Sequence, residues 1–266
     1  SMSALTLVDL PLDIIRLVIK MDEDSVDDVR LVSQSWNVVA QEYIRARKDR
    51  TGIDWLRCDV YDTHDTSLTI SISKNDIKFL GVQNWNMFYA YHSCEMPTKE
   101  MVCMKIEADS VKNLLNNAKQ VFSRISHINL LKLGIHLIEN SNAMESLTKN
   151  VMNIAVDHVN CDVVNVMTEQ HVNDVLNLCR ISSPGRLELT LGSNSIELNV
   201  HFLQRLASEA AKYVPNVEFN GYDQNNKYNM FDARPTYWKK IRNKYFSNME
   251  LILENNSSKR VRFIAK

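Results

Sequence analysis

The sequence predicts a mixed α/β fold, with α+β as a possible variant, in which three short helices precede an array of alternating strands and helices. Two patterns predict it. Apolar residues recur at helical spacing in the first fifty residues, and short strands alternate with helices beyond residue 104. A content of 45% hydrophobic residues in a chain of 266 is ample for a buried core and excludes a mainly disordered protein.

Composition and charge argue against several classes of function. The formal net charge of -1 and pI near 6.6 leave no basic excess of the kind on which nucleic-acid binding depends. No run approaches the ~20 apolar residues of a membrane span, and no signal peptide precedes the first helix. The 5 cysteines include no C-x-x-C pair, which predicts reduced thiols. We therefore expect a protein of the cytoplasm or nucleus that binds neither nucleic acid nor membranes, with Ser1 a remnant of tag removal.

The first fifty residues predict three short helices. The first begins at Leu10-Pro11, with proline in its first turn, and carries apolar residues at helical spacing as far as Ile19. The second begins after Ser25, a favourable N-cap residue. The third begins near Ser35 and carries Trp36 on its apolar stripe. A segment of about forty residues is too small to close a stable core, so the surplus apolar surface must be covered by the rest of the chain or by a partner.

The same segment resembles the F-box family over about residues 5–48. The resemblance depends on Leu10-Pro11, followed by Ile14-Ile15 and Val18-Ile19. It continues through Val26, Val29 and the run Leu31-Val32-Ser33-Gln34-Ser35-Trp36-Asn37, which matches the Val-Ser-x-x-Trp ending of the family.

This resemblance implies a protein partner, the Skp-type adaptor of the SCF cullin-RING ubiquitin ligases. It also implies a set of residues that contact the adaptor, among which Ser33 additionally caps the third helix: Leu10, Pro11, Ile14, Ile15, Leu31, Val32, Ser33 and Trp36. The alternative is that Trp36 and Ile15 pack into the remaining chain.

Residues 53–266 predict a second region in which strands and helices alternate. Residues 53–109 form a β-rich connector, and residues 110–266 hold the repeats and a terminal cap. Strands of the form apolar-x-apolar begin at residues 104, 131, 164, 189 and 217, so the starts are 27, 33, 25 and 28 residues apart. Apolar residues at helical spacing lie between these strands, most clearly over residues 111–125 and 203–214. This period predicts an irregular leucine-rich-repeat-like α/β solenoid, with a compact α/β sandwich as the alternative.

The chain is predicted to close with a helix after Pro235 and a hairpin over residues 249–264 that caps the array. An F-box followed by such a region resembles the divergent nematode F-box proteins with an F-box-associated region. That resemblance implies that residues 53–266 bind a protein target for ubiquitination and proteasomal degradation, for which a foreign or toxic protein is the natural guess. Exposed loops with large side chains suit recognition, and the candidates for target contact are Tyr222, Tyr228, Phe231 and Trp238.

Patterns for catalysis and metal binding are missing from the sequence. Its histidines and cysteines give only two close pairs, His92 with Cys94 and His158 with Cys161, whereas zinc requires four close ligands. No glycine-rich phosphate loop or nucleophile elbow occurs. We therefore expect a non-catalytic receptor subunit that holds no cofactor or metal. The alternatives are a stand-alone protein that binds and neutralises its target and, more remotely, a thiol enzyme that uses Cys161.

Overall fold

An N-terminal group of helices, one mixed sheet and the helices that lie between its strands in sequence make up the described part of the chain. The structure, a computed structural model, describes residues 6–21, 26–46, 50–61, 67–73, 101–107, 119, 121–134, 138–139, 141–163, 166–192, 195–222, 234–253 and 261–265. The helices are a 3₁₀ turn (Leu7–Asp9), α1 (Leu12–Met21), α2 (Val26–Val29), α3 (Gln34–Arg45), α4 (Ser141–Val151), α5 (Glu169–Ser182), α6 (Ser195–Ala210) and α7 (Arg234–Tyr245). The strands are β1 (Thr51–Tyr61), β2 (Ser67–Ser73), β3 (Met101–Glu107), β4 (Ile125–Leu133), β5 (Ala155–Val163), β6 (Arg186–Gly192), β7 (Asn216–Tyr222), β8 (Met249–Leu253) and β9 (Val261–Ala265). The predicted mixed α/β class is confirmed.

Helices α1, α2 and α3 form a compact group, called the trio below. Pro11 precedes α1, and its carbonyl oxygen accepts hydrogen bonds from the backbone N–H groups of Ile14 and Ile15. The Ser33 hydroxyl accepts a hydrogen bond of 3.4 Å from the Trp36 backbone N–H at the start of α3. The predicted capping role of Ser33 is therefore confirmed.

The nine strands lie in one sheet in the order β3-β2-β1-β4-β5-β6-β7-β9-β8. The central strands β1, β4, β5, β6 and β7 pair in parallel, and the outer strands on both sides pair antiparallel. From β4 to β7 the strands follow chain order, and α4, α5 and α6 each connect one strand to the next. The predicted alternation of strands and helices is thus observed in this part of the chain.

The core lies between the helices and one face of the sheet. The register aligns a row of fully buried side chains across six strands: Cys58, Leu133, Cys161, Leu189, Phe219 and Phe263. A second buried row runs through Leu56, Leu131, Val159, Leu187 and Val217. Because side chains alternate along a strand, the residues between these rows point to the opposite face, called the open face below.

The C-terminal hairpin closes the sheet as predicted. Strand β9 pairs with β8 on one side and with β7 on the other, both antiparallel. Phe246, which follows α7, contacts the rings of Phe219 and Phe263 with centroid distances of 6.0 and 5.3 Å. The hairpin is therefore held to β7 by both backbone pairing and aromatic packing.

Two predicted elements differ from the structure. Ile125 was expected in a helix, but it begins β4 and is buried against the sheet. A strand was expected over residues 164–166, but β5 ends at Val163, and Val166 lies beyond it with 54% of its surface exposed. A three-residue apolar-x-apolar pattern is too short to locate a strand, whereas the buried positions of β5 extend from Ala155 to Val163.

A buried polar cluster attaches the trio to the rest of the chain. Arg30, which is 2% exposed, donates hydrogen bonds to the carbonyl oxygens of Ile181, at 2.7 Å, and Met152. The Asn37 amide donates to the Ile181 carbonyl and the Ser183 hydroxyl, at 3.2 and 2.7 Å. Gln41 donates to the Ser182 carbonyl at 2.7 Å. These carbonyls belong to the end of α5 and the turn after α4, where a helix leaves its last acceptors unsatisfied.

Candidate partner-binding surface

Exposed apolar side chains are concentrated at the N-terminus. Among the described residues, twelve large hydrophobic side chains are exposed, and ten of them lie between residues 7 and 38. These ten define the N-terminal apolar surface: Leu7, Val8, Leu12, Ile14, Leu17, Val18, Met21, Leu31, Val32 and Val38. The other two, Val166 and Leu198, lie in the strand–helix region. Clustered exposed apolar residues of this kind mark interaction sites, whereas single ones are normal on any protein surface.

Helix α1 is apolar on two faces. Ile15 and Ile19 are 0% and 1% exposed and pack into the core of the trio. A second stripe, at i, i+3, i+4 and i+7, faces solvent and consists of Ile14, Leu17, Val18 and Met21. A helix that only needs to cover its own core has one apolar stripe. Within the described residues, nothing covers this second stripe of α1.

The polar side of α1 forms ion pairs within the helix and with α3. Asp13, Arg16 and Lys20 share the remaining strip of the helix. Arg16 bonds Glu42 of α3 at 3.0 Å and Asp13 at 3.4 Å, and the Tyr43 hydroxyl donates to the Arg16 carbonyl at 3.2 Å. These contacts orient α1 on α3, so that its solvent-facing apolar stripe has one defined direction.

Six of the eight residues expected to contact an adaptor lie wholly or partly at the trio's surface. Pro11, Ile14, Leu31 and Val32 are exposed. Leu10 is partly buried against the core of the trio, and Ser33 is the cap described above.

The remaining two expected contact residues are corrected by the structure. Ile15 is 0% exposed and Trp36 is 3% exposed, and both belong to the trio's own core. The Trp36 indole N–H donates a hydrogen bond of 2.7 Å to the Leu7 carbonyl oxygen. Both side chains are thus buried within this chain, chiefly in the trio's own core and not in the rest of the chain as the alternative expected. We therefore remove Ile15 and Trp36 from the candidate contact residues.

Other members of the surface were missed from the sequence. Leu17 and Met21, exposed by 56% and 81%, follow Ile14 at i+3 and i+7. That spacing was visible in the sequence, but it competes with the equally apolar stripe that contains Ile15 and Ile19. No periodic pattern in the sequence separates exposed from buried positions at the other missed residues, which are Leu7, Val8, Leu12 and Val38.

The open face of the sheet is polar and charged. One register row crosses it through Arg57, Lys132, Asn160, Glu188 and Glu218. The Arg186 guanidinium forms ion pairs with two carboxylates, that of Glu218 at 2.6 Å and that of Glu188 at 3.4 Å. Arg57 likewise bonds Asp59 at 2.7 Å and lies 3.6 Å from Asp162.

Burial and the neighbouring charges together shift the pKa values of two carboxyl groups on the open face in opposite directions. Burial raises the pKa of Asp162, and the charges of Arg57 and Lys132 oppose that shift only partly. Burial also disfavours the Glu188 carboxylate, but the hydrogen bond from His158 and the charge of Arg186, with smaller contributions that include the Asn220 amide, hold the pKa of Glu188 below its ordinary value. Glu188 is therefore charged over the physiological range, within a network that is nearly neutral overall.

Two of the four candidate target-contact residues lie in separate elements, and the other two lie outside the described residues. Tyr222 ends β7, and Trp238 lies in α7. Tyr228 and Phe231 fall outside the ranges that the structure describes, as does the pair His92 and Cys94.

His158 and Cys161 do not form a chemical pair. They lie three residues apart on β5, and an odd separation places two side chains on opposite faces of a strand. Cys161 is fully buried in the core, whereas His158 lies on the open face with its Nε2 atom 3.2 Å from Glu188. Burial also raises the pKa of Cys161 well above its ordinary value. This pair can therefore serve neither as a thiol–imidazole dyad nor as two ligands of one zinc ion.

Within the ranges described, no three His, Cys, Asp or Glu side chains converge as metal ligands would, and none of the helices is both long and apolar enough to span a bilayer. The chain matches no protein-family model, no curated protein and no solved structure.

Proposed function

We propose that this chain is an F-box substrate receptor of an SCF cullin-RING ubiquitin ligase, acting in the cytoplasm or nucleus. In this proposal the trio binds the Skp-type adaptor through the N-terminal apolar surface. The strand–helix region, as a leucine-rich-repeat-like array that resembles the F-box-associated region of the divergent nematode F-box proteins, binds a protein target. The chain itself performs no chemistry, because ubiquitin transfer depends on bringing the target's lysines close to a charged enzyme on the same complex.

The observation that carries the proposal is the second apolar stripe of α1. Four aliphatic side chains at helical spacing, Ile14, Leu17, Val18 and Met21, are 41–81% exposed. Burying one such side chain is worth about 1.5–3 kcal/mol, so a partner that covers the stripe gains substantial binding energy even after the entropic cost of association. The F-box resemblance names an apolar helical surface at this position as the adaptor contact.

The attachment of the trio also supports the proposal. A receptor must hold its target at a defined distance from the adaptor, and a loosely tethered trio would not do so. Arg30, Asn37 and Gln41 connect the trio to the end of α5 through buried hydrogen bonds. Adaptor-binding and target-binding regions are thereby held in one arrangement.

Copurification with a Skp-type adaptor tests the proposal. We would coexpress the full chain with the adaptor and measure the stoichiometry and dissociation constant of the complex. Leu17→Asp is the test variant and Leu198→Asp the matched control, because both leucines are exposed on helices, by 56% and 63%. We expect a 1:1 complex that Leu17→Asp weakens at least about a hundredfold, whereas Leu198→Asp leaves it unchanged.

Two results would contradict the proposal. Failure of the folded chain to bind the adaptor at micromolar concentrations would remove its basis. Equal weakening by Leu17→Asp and Leu198→Asp would show that the N-terminal apolar surface is not the contact. Target proteins captured by the chain should also accumulate when the proteasome is inhibited. If these targets do not accumulate, and the Leu17→Asp variant still neutralises them, the chain acts as a stand-alone binding protein.

A further inference from the structure

A small groove lies between α5 and α6, on the side of these helices away from the sheet. Its volume is about 230 Å³. The lining residues come from one stripe of each helix and from the turn after α6: Asn173, Leu176, Asn177, Arg180, Arg205, Glu209, Lys212 and Tyr213. Drug-sized ligands occupy pockets of about 300–1,000 Å³, so this groove suits a single side chain rather than a nucleotide or other large cofactor.

The groove has an excess of positive charge. Its lining contains three cations, Arg180, Arg205 and Lys212, and one anion, Glu209. Glu209 is already engaged, because its carboxylate accepts a hydrogen bond of 2.8 Å from Arg205. Arg205 is further engaged by Glu169 and by Asn173. The surplus charge therefore resides on Arg180 and Lys212.

Arg180 and Lys212 have unused capacity for an anion. The Arg180 guanidinium donates to Asn177 Oδ1 at 2.9 Å, and within the described residues no carboxylate lies within ion-pair distance of it. The Lys212 ammonium group has no hydrogen-bond or ion-pair partner in those same ranges. The Tyr213 side chain is half-buried and also lines the groove, and its hydroxyl has no partner among the described residues. Two cations and a phenol thus line a cavity to which the nearly buried Leu176 contributes apolar surface.

We propose that this groove binds an acidic side chain of a protein ligand, with its anionic oxygens on Arg180 and Lys212 and its aliphatic part on Leu176. Guanidinium and ammonium groups form their strongest hydrogen bonds with carboxylate or phosphate oxygens. The chemistry shared by aspartate, glutamate and a phosphorylated residue is an anionic oxygen group on a short stem, and its size matches the groove. This inference is independent of whether the trio binds an adaptor.

A purely structural role for the same cations makes a different prediction. Cations near the C-terminal ends of helices stabilise those helices, and Arg180 lies in the last turn of α5 while Lys212 follows α6. If this were their only role, removing them would lower the melting temperature and leave no ligand-binding defect beyond the loss of net charge.

Fluorescence anisotropy with two labelled peptides separates these roles. The probes are a hexapeptide of Asp and Gly and the same peptide with phosphoserine in place of each Asp, and a Ser and Gly peptide serves as the neutral reference. The test variant is Arg180→Gln/Lys212→Gln. The matched control is Lys149→Gln/Lys239→Gln, which removes two exposed cations from other helices and changes the net charge equally.

We expect the wild type to bind at least one anionic peptide, the groove variant to bind it about tenfold more weakly or worse, and the control variant to change the affinity less than twofold. Tighter binding of phosphoserine assigns phosphate as the source of the anion, and tighter binding of aspartate assigns carboxylate. Equal loss in both variants, or no binding of either peptide by the wild type at millimolar concentration, would overturn the proposal. Melting temperatures of both variants confirm that each is folded.

Discussion

The guanidinium of Arg30 lies 2.7 Å from the carbonyl oxygen of Ile181, and this contact joins two residues that are 151 positions apart in the sequence. Arg30 directly follows α2, and Ile181 lies in the last turn of α5. A buried arginine is stable only if its donors are satisfied, and here backbone carbonyls and the Asn37 side chain satisfy them. A positive charge at this position also complements the C-terminal end of α5.

Replacement of Arg30 by alanine is expected to lower the free energy of unfolding by about 3 kcal/mol or more, because several buried carbonyls lose their donor. Arg45→Ala is the control, since Arg45 also reaches from the trio to the sheet region through Asp157. That ion pair is 38% and 41% exposed, so its loss should cost less than about 1 kcal/mol. Chemical denaturation measures both values. Equal effects would show that the cluster around Arg30 does not hold the trio in place.

The two faces of α1 predict opposite responses at neighbouring positions. Ile15→Ala removes a fully buried side chain and should destabilise the chain by about 2–5 kcal/mol. Ile14 is 44% exposed, so Ile14→Ala should change the stability by less than about 0.5 kcal/mol. Thermal denaturation of the isolated chain provides the measurement. A large loss for Ile14→Ala would mean that the outer stripe is already covered within this chain.

Gly134 permits a close approach of Asp59 that no other residue would allow. A Cβ atom at residue 134 would lie 1.8 Å from Asp59 Oδ1, and Asp59 is held by two hydrogen bonds from Arg57 at 2.7 and 3.0 Å. Gly134→Ala should therefore cost about 1–3 kcal/mol through overpacking. At Gly185 the nearest atom would lie at 3.4 Å, an ordinary contact, so Gly185→Ala should be neutral or stabilising by up to about 1 kcal/mol. Unfolding in urea compares the two, and a neutral Gly134→Ala would contradict this packing.

The lowered pKa of Glu188 predicts an acid-dependent loss of stability. Its folded-state pKa lies below the unfolded value, so its stabilising contribution is present above the unfolded pKa and is lost as the pH falls through the folded pKa. Glu188→Gln should accordingly destabilise the chain at pH 7, and the difference from the wild type should shrink under acidic conditions. Unfolding free energies at pH 7 and at pH values below about 4 test this. A difference that is independent of pH would contradict it.

The buried cysteines should resist alkylation in the native state. Burial raises the pKa of Cys179 to about 12, and it raises the pKa values of Cys58 and Cys161 as well. Thiolate is the reactive form, so iodoacetamide at pH 8 should leave these three thiols unmodified until a denaturant is added. Residue-specific mass spectrometry detects the modification. Rapid alkylation of Cys161 in the folded protein would restore the thiol-enzyme hypothesis.

The elements whose burial follows a simple period were predictable from the sequence. The stripe of Val172, Val175, Leu176 and Cys179 predicts α5, because one face of a helix is buried and the other is not. The terminal hairpin was predictable because turn-forming residues separate two apolar runs. In contrast, nothing in the pattern distinguishes Ile14 from Ile15, since α1 is apolar on both sides and only tertiary packing decides which side is inside.

Long-range polar contacts were beyond prediction for a similar reason. Arg30, Asn37 and Gln41 look like ordinary surface residues of short helices, and their burial depends on the end of α5. The groove between α5 and α6 combines residues that are about thirty positions apart, so its charge becomes apparent only when the helices are adjacent. The trio's apolar surplus could be inferred from its length, but its location required the coordinates.

The antiparallel hairpins on both flanks of the sheet constrain how such a chain can change size. Strands β2 and β3 follow β1 on one flank, and β9 and β8 follow β7 on the other. A duplicated strand–helix pair could not be inserted on the outer side of β1 or of β7 without separating an antiparallel pair, β1 from β2 or β7 from β9. Insertion or deletion of a strand–helix pair between β4 and β7 would instead leave both flanking hairpins and the anchored N-terminal helices intact.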